Sequence, residues 1–186
     1  MARKDWFDHG YKMTDDPAYK EMLEIEEWLA AGDLEQLEFA SQVVDSFPQH
    51  RDGYFDTPWI VRAIDCGRVS VVKWMIEKGV NLRLGSTDAY PPVLACIDSR
   101  DSEEKYQILG ALIASGADIN ERGINGWTPL HLAALKDDEK SMHMLLVAGA
   151  DRSITTLCDD DATAEEEARK FGHIQSAEYI ARFASD

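Results

Sequence analysis

Histidine and cysteine are the side chains of this sequence best suited to catalysis or metal binding. They are spread along the chain: His9, His50, His131, His143, His173, Cys66, Cys96 and Cys158. None belongs to an HExxH pair, a CxxC pair or a glycine-rich phosphate loop, and no serine has the spacing of an activated nucleophile. The sequence therefore predicts a chain that is not an enzyme and that has no cofactor and no metal ion. A carboxylate–histidine site of unfamiliar type is the remaining enzymatic interpretation.

The densest run of carboxylates is CDDDATAEEEARK, residues 158–170. A calcium loop places oxygen ligands at alternating positions around a glycine turn, which three consecutive aspartates do not provide. One interpretation is a solvated helix start, where carboxylates complement the positive end of a helix that begins near Thr163. The other is a loop tip at which Asp159, Asp160 and Asp161 receive a basic partner.

The overall charge restricts the classes of partner. The chain has 186 residues, with 35 acidic and 19 basic side chains and a formal net charge of −16. This balance argues against nucleic acids and anionic membranes as partners and favours basic proteins. The alternative interpretation is that the charge only keeps the protein soluble. No apolar run approaches the ~18 residues of a membrane helix or forms a signal peptide. With three scattered cysteines, we expect reduced thiols and a cytoplasmic protein.

These side chains must be positioned by elements that repeat along the chain. Gly149-Ala150-Asp151 also occurs as Gly116-Ala117-Asp118, 33 residues earlier, and in weaker form from Gly79. The segment TPLHLAA at 128–134 is matched by PWIVRAI, YPPVLAC and TAEEEAR. The second copy carries about five extra residues, which fall within IDSRDSEEKYQ.

Each copy reads as two helices followed by a glycine. Thr-Pro is suited to the start of the first helix, small alanines allow close packing, and the glycine ends the second helix in a left-handed turn. Apolar residues three and four apart predict the inward face of the second helix. These are Val69, Val72, Met75 and Ile76; Leu109, Leu112 and Ile113; Met142, Leu145 and Leu146; and Ile174, Ala177 and Ile180.

A further helix pair is expected before the first copy. Asp16 before Pro17 is a helix start, and Gly32-Asp33 is a stop followed by a new cap. The inward stripe is predicted as Tyr19, Met22, Leu23, Leu29 and Ala30. The polar and acidic remainder suits the outside of a terminal unit, which meets water. At the other end, Thr163 and Glu166 match a capping box.

Gly126-Trp127-Thr128-Pro129-Leu130-His131-Leu132-Ala133-Ala134, with its 33-residue period, resembles the ankyrin repeat. The resemblance implies an all-α, helical-hairpin solenoid of about four repeats over 49–186. Residues 17–48 would be an N-terminal helical cap, and 1–16 an N-terminal extension. It also implies that His131 makes a structural hydrogen bond between adjacent loops.

In proteins that this chain resembles, loop tips and first helices form a concave binding surface. By alignment, the resemblance places the partner-binding residues at Tyr54, Phe55, Asp65, Asp88, Asp98, Ile124, Asn125, Trp127, Leu135, Asp159, Asp160 and Asp161. Aromatic side chains beside carboxylates are typical of binding hot spots, so Tyr54, Phe55 and Trp127 are the candidate anchors. Each could instead pack on its neighbouring loop. The insertion at 98–104 is expected to lengthen a turn that either reaches a partner or is a tolerated surface loop.

The resulting hypothesis is a binding module that is a monomer when free. Its acidic concave face would bind, and inhibit, one basic protein such as a toxin, in the manner of ankyrin-type bacterial immunity proteins. The alternative is a scaffold or adaptor that recruits a peptide or assembles a complex without inhibiting it. Salt dependence distinguishes them in part, because an apolar peptide groove responds little to ionic strength.

Overall fold

The computed structural model describes residues 16–83, 90–157 and 161–183, and these residues form ten α-helices and no β-strand. The helices are α1 (Pro17–Ala31), α2 (Leu34–Val43), α3 (Trp59–Asp65), α4 (Val69–Glu77), α5 (Pro92–Asp98), α6 (Glu103–Ala114), α7 (Pro129–Leu135), α8 (Glu139–Val147), α9 (Ala164–Lys170) and α10 (Ile174–Arg182). A short 3₁₀ helix, Ile124–Gly126, precedes α7. In this part of the chain, no helix has the length and apolar character needed to cross a membrane.

The helices pair into five hairpins that stack in chain order. α1 and α2 form the N-terminal hairpin, and α3–α4, α5–α6, α7–α8 and α9–α10 form the first to fourth repeats. The inner helices α1, α3, α5, α7 and α9 each contact the next in the row, while α4, α6 and α8 form an outer layer. One apolar core therefore runs through the stack, and the predicted helical-hairpin solenoid is confirmed.

Side-chain caps determine where several helices begin. The Asp16 carboxylate accepts a hydrogen bond from the backbone nitrogen of Ala18 at 2.8 Å, and Asp33 accepts one from Gln36 at 3.1 Å. Gly32 between them is left-handed, with φ of 76°. Thr163 and Glu166 exchange the two hydrogen bonds of a capping box at the start of α9. These predicted starts and stops are all confirmed, because they depend on local chemistry.

The inward stripes are mostly as predicted, and Met142, Leu145 and Leu146 are all buried. Ile174 is the error among the repeats, since 46% of it is exposed. In the N-terminal hairpin Leu23 and Ala30 are exposed, whereas Ile25, which the pattern missed, is buried. All four errors lie in terminal hairpins, where no further repeat among the described residues covers the outer side of a helix.

The insertion in the second repeat lengthens a helix more than a turn. α6 has 12 residues, whereas α4, α8 and α10 each have nine. Asp98 closes α5, the turn occupies 99–102, and the Ser102 hydroxyl caps α6 by accepting from the Lys105 nitrogen at 3.2 Å. The expected lengthening of the turn is therefore confined to one residue, since 99–102 has four residues and the turns at 66–68, 136–138 and 171–173 have three; a local cap allows Glu103 and Glu104 to join the helix.

A buried ion pair joins the second repeat to the third. Lys105 is 2% exposed, and its Nζ donates to Asp138 Oδ2 at 2.6 Å and to the exposed carboxylate of Asp101. Asp138 also accepts from the Ser141 nitrogen at 3.0 Å and from the Tyr106 hydroxyl at 3.2 Å. Burial opposes the charge on both groups, but hydrogen bonds outweigh it. Those from Lys105 to Asp101 and Asp138 raise the pKa of Lys105, and those that Asp138 accepts from Lys105 and Ser141 lower the pKa of Asp138.

Candidate functional site

His131 connects the third repeat to the loop that enters the fourth. Its Nε2 lies 3.1 Å from the carbonyl oxygen of Ala162, and its Nδ1 lies 3.3 Å from the Thr128 nitrogen and 2.8 Å from the Thr128 hydroxyl. A neutral ring with the proton on Nε2 satisfies these contacts, since Nε2 donates to the carbonyl and Nδ1 accepts. Burial lowers the pKa of His131. The structural role that the resemblance implied agrees with this geometry.

Because the folded pKa of His131 lies below the ordinary value of 6.5, the unfolded chain binds the proton more readily. The stability that the neutral ring contributes is fully present above pH 6.5 and is lost as the pH falls through the folded pKa. We expect urea unfolding at pH 7.5 and 5.5 to show this loss in the native chain and a smaller one in His131→Gln. Equal pH dependence in the two proteins would exclude His131 as its source.

The loop that enters the first repeat, residues 51–58, is organised by a buried carboxylate. Asp52 is 2% exposed and accepts from the backbone nitrogens of Tyr54 at 3.0 Å, Phe55 at 2.5 Å and Thr57 at 2.8 Å. Burial opposes its ionisation, but these bonds and that from Arg62 Nε at 3.0 Å lower its pKa. Asp52 thereby holds the tip of this loop in one conformation.

This tip presents an aromatic cluster shared with the N-terminal hairpin. The Tyr54 ring lies 4.9 Å from Tyr19 of α1 and 4.8 Å from Phe55. Phe55 is 51% exposed, with the guanidinium of Arg62 5.6 Å from its ring centre. Tyr54 is half-buried, so Phe55 is the aromatic side chain most available to a partner.

The tips before the third and fourth repeats are joined to each other. The Asn125 carbonyl accepts from the Leu157 nitrogen at 2.8 Å, and Arg122 donates to the carbonyl of Thr155. Ile124 and Leu157 are 54% and 62% exposed. Trp127 is half-buried, with its ring 6.3 Å from that of His131. These tips therefore expose aliphatic side chains in place of the expected tryptophan.

The close approach of the two tips requires glycine at 126. A Cβ there would lie 2.5 Å from Leu157 Cγ and 2.7 Å from the Leu157 nitrogen, and φ is 76°. Gly149 has a φ of 92° but nothing within 4 Å of a Cβ, so Gly149→Ala is a matched control for backbone strain alone. We expect Gly126→Ala to lower the free energy of unfolding by about 1–3 kcal/mol more than Gly149→Ala in urea unfolding. Equal losses would show that the tips separate without penalty.

Carboxylates lie at the ends of the inner helices, as the alignment predicted, but the charge changes along the row. Asp65 is exposed and, in the described part of the chain, forms no hydrogen bond or ion pair. Partial desolvation raises its pKa; the charge of Arg62 opposes this rise, and those of Asp98 and Glu26 add to it. Asp98 accepts from the Tyr90 hydroxyl at 2.7 Å and pairs with Lys136 Nζ at 3.1 Å. The acidic character therefore belongs to the first two repeats and weakens at the third.

The predicted site residues thus fall into several groups. Phe55, Ile124, Asn125, Asp65, Asp98 and Asp161 are exposed, while Tyr54, Trp127 and Leu135 are half-buried. Asp88, Asp159 and Asp160 lie outside the described residues. Sequence reasoning missed Asp52 and Leu157; the Asp-Gly turn signal at 52–53 was the available clue for the first. Within the described ranges, no group of three or more His, Cys, Asp or Glu side chains could hold a metal ion.

Comparison with known proteins agrees with this architecture. A family model described as ankyrin repeats (many copies) matches residues 93–146. The chain is 41% identical over 78 residues to the RelA-associated inhibitor of Mus musculus. That alignment covers 41% of this chain and 9% of the inhibitor. It is 34% identical over 90 residues to a putative ankyrin repeat protein of Fowlpox virus, in an alignment that covers 47% of this chain and 25% of the viral protein.

A third relative is the ankyrin repeat domain-containing protein 40 of Mus musculus, 29% identical over 97 residues. That alignment covers 45% of this chain and 27% of the relative. The matched region thus spans less than a third of the length of each of these three relatives.

Proposed function

From the premise that this chain is an ankyrin-repeat protein, a family that generally serves protein–protein interaction without catalysis, we propose that it binds and inhibits one basic protein. The observation that carries the proposal is the exposed Phe55, held by Asp52 in the same repeat that exposes the carboxylate of Asp65 at the end of α3. A repeat that exposes both an aromatic anchor and a carboxylate suits a partner with basic and apolar side chains.

Inhibition is supported by one relative, which is named as an inhibitor. A binding module that covers a basic active site would inhibit it by obstruction. A cognate toxin is the concrete partner we propose, with this chain as its immunity protein in the cytoplasm. The free chain is proposed to be a monomer.

The scaffold function is favoured by a different observation. The third and fourth tips expose the aliphatic Ile124 and Leu157, while Lys136 and Lys170 lie at the ends of α7 and α9. That half of the surface suits an apolar peptide better than a basic protein. The two functions therefore place the main contacts in different halves of the array.

The test is affinity capture from lysate of the source cell with the immobilised full chain, at low and at physiological salt, followed by mass spectrometry. We expect one basic protein in near-stoichiometric amount, whose activity falls when this chain is added. Phe55→Ala should weaken its binding by more than about 2 kcal/mol, whereas Val147→Ala, which truncates a side chain 66% exposed on α8, should not.

Charge reversal at Asp65 supplies the second arm of the same test. We expect Asp65→Lys mainly to slow association and to flatten its dependence on salt. If Phe55→Ala and Asp65→Lys remain folded and bind the captured protein as the native chain does, this surface is not the site. Loss of binding on changing Ile124 and Leu157 instead would favour the scaffold function.

A further inference from the structure

The outer side of the N-terminal hairpin carries an apolar groove, contrary to the polar face that the sequence led us to expect. It lies between α1 and α2 and has a volume of about 420 Å³. Ile25 and Trp28 line it from α1, and Phe39 and Val43 from α2. Phe39 is 57% exposed and Val43 is 58% exposed. A terminal unit of a solenoid normally turns a polar face to water, so this groove needs an explanation.

The groove has the shape of a helix-binding site. Phe39 and Val43 are four residues apart on α2, and Glu24 and Trp28 are four apart on α1, so each helix contributes one ridge. The stretch of α1 that borders it, from Pro17 to Trp28, is roughly 17 Å long, or three helical turns. In the other hairpins that the structure describes, the corresponding side of the inner helix is covered by the preceding inner helix.

The charge around the groove indicates what kind of helix fits. Glu21, Glu24 and Lys20 stand on its α1 edge, where carboxylates therefore outnumber the ammonium group by two to one. Residues 16–45 contain nine carboxylates and a single basic side chain, Lys20. An isologous contact with a second copy would bring these acidic surfaces together, and like charges across an interface are unfavourable. A basic partner would neutralise them.

We infer that this groove binds an amphipathic α-helix with basic flanks, supplied by a partner protein. The helix lays leucine-like side chains on Phe39, Val43 and Trp28 and directs lysine or arginine toward Glu21 and Glu24. This is helix-in-groove recognition, in which apolar anchors recur at helical spacing. The surface lies on the opposite side of α1 from α3 and does not depend on the function proposed above.

The test uses the full chain and three 14-residue peptides, each roughly 21 Å long when helical. One is a leucine/lysine amphipathic helix, the second replaces its lysines with glutamate, and the third scrambles the leucine/lysine sequence so that the leucines share no face. Binding is followed through the indole resonance of Trp28. We expect only the first peptide to bind and to shift that resonance.

We expect Phe39→Ala with Val43→Ala to weaken binding of the leucine/lysine peptide about tenfold or more, and Val147→Ala to leave it unchanged. The double variant Glu21→Lys with Glu24→Lys leaves Phe39, Val43 and Trp28 unchanged but reverses the charge beside them. We expect it to bind the glutamate peptide better than the leucine/lysine peptide. Far-UV circular dichroism confirms that each variant is folded. Equal binding of the scrambled peptide, or affinity insensitive to both pairs of changes, would overturn the inference.

Two other occupants of the groove would give different experimental results. A mass that rises with concentration in sedimentation, and that Phe39→Ala with Val43→Ala returns to the monomer value, would assign the groove to a second copy. A change in the indole resonance of Trp6 on the same substitution would assign it to the chain's own N-terminal residues. Either result would overturn the partner-helix inference.

Discussion

Asp138→Ala is expected to lower the free energy of unfolding by about 3–5 kcal/mol, because it leaves the ammonium group of Lys105 buried without its main partner. The change also removes the carboxylate that accepts from the Ser141 nitrogen at the start of α8. Urea unfolding followed by circular dichroism at pH 7 measures the loss.

Asp101→Ala is the matched control, since Asp101 contacts the same ammonium group from a side chain that is 72% exposed. An exposed partner contributes little, so we expect a loss below about 1 kcal/mol. Similar losses in the two variants would mean that Lys105 reaches water in the folded protein, and that the pair does not hold the second and third repeats together.

The second large effect is expected at Asp52→Ala. This change leaves three backbone nitrogens and Arg62 without their shared acceptor, and we expect a loss of about 3 kcal/mol or more. Hydrogen exchange should show the damage locally, with faster exchange at Tyr54, Phe55 and Thr57. A captured partner should also bind the variant more weakly, because Phe55 is no longer held in place.

Asp56→Ala is the control for Asp52, because Asp56 lies in the same loop but its side chain is 79% exposed and its described ion pair is with Arg51, at 3.6 Å. We expect exchange at Tyr54 and Thr57 to remain slow in that variant. If Asp52→Ala leaves exchange unchanged, the loop conformation must be determined by Arg51 and Pro58 at its base and not by the buried carboxylate.

Local chemistry made much of the fold predictable. Asp16, Asp33 and Thr163 act on backbone groups two or three residues away, so their positions in the sequence were sufficient. The glycines that end α4, α6 and α8 are left-handed at Gly79, Gly116 and Gly149, as the repeat of Gly-Ala-Asp suggested. The fold also followed from the period itself, since hairpins of one length can bury their apolar sides only by stacking.

Parts of the core and of the candidate site were less predictable, because they depend on contacts between residues distant in sequence. Lys105 lies in a polar stretch, and its burial depends on Asp138, 33 residues later. Leu157 is exposed at a tip because its backbone nitrogen bonds to Asn125, which composition cannot indicate. Helical periodicity likewise gave Ile174 an inward position, but no fifth repeat exists among the described residues to cover it.

The neighbouring carboxylates of Asp65 and Asp98 also bear on the mechanics of the array. They lie on successive inner helices, and their repulsion acts against closer approach of the first and second repeats at that edge. Between the second and third repeats, Lys136 instead pairs with Asp98, so the contact at the same edge is attractive. The electrostatic balance along this edge therefore changes from repulsion between the first two repeats to attraction between the next two. A cation placed beside Asp65 would relieve that repulsion and make the two junctions alike.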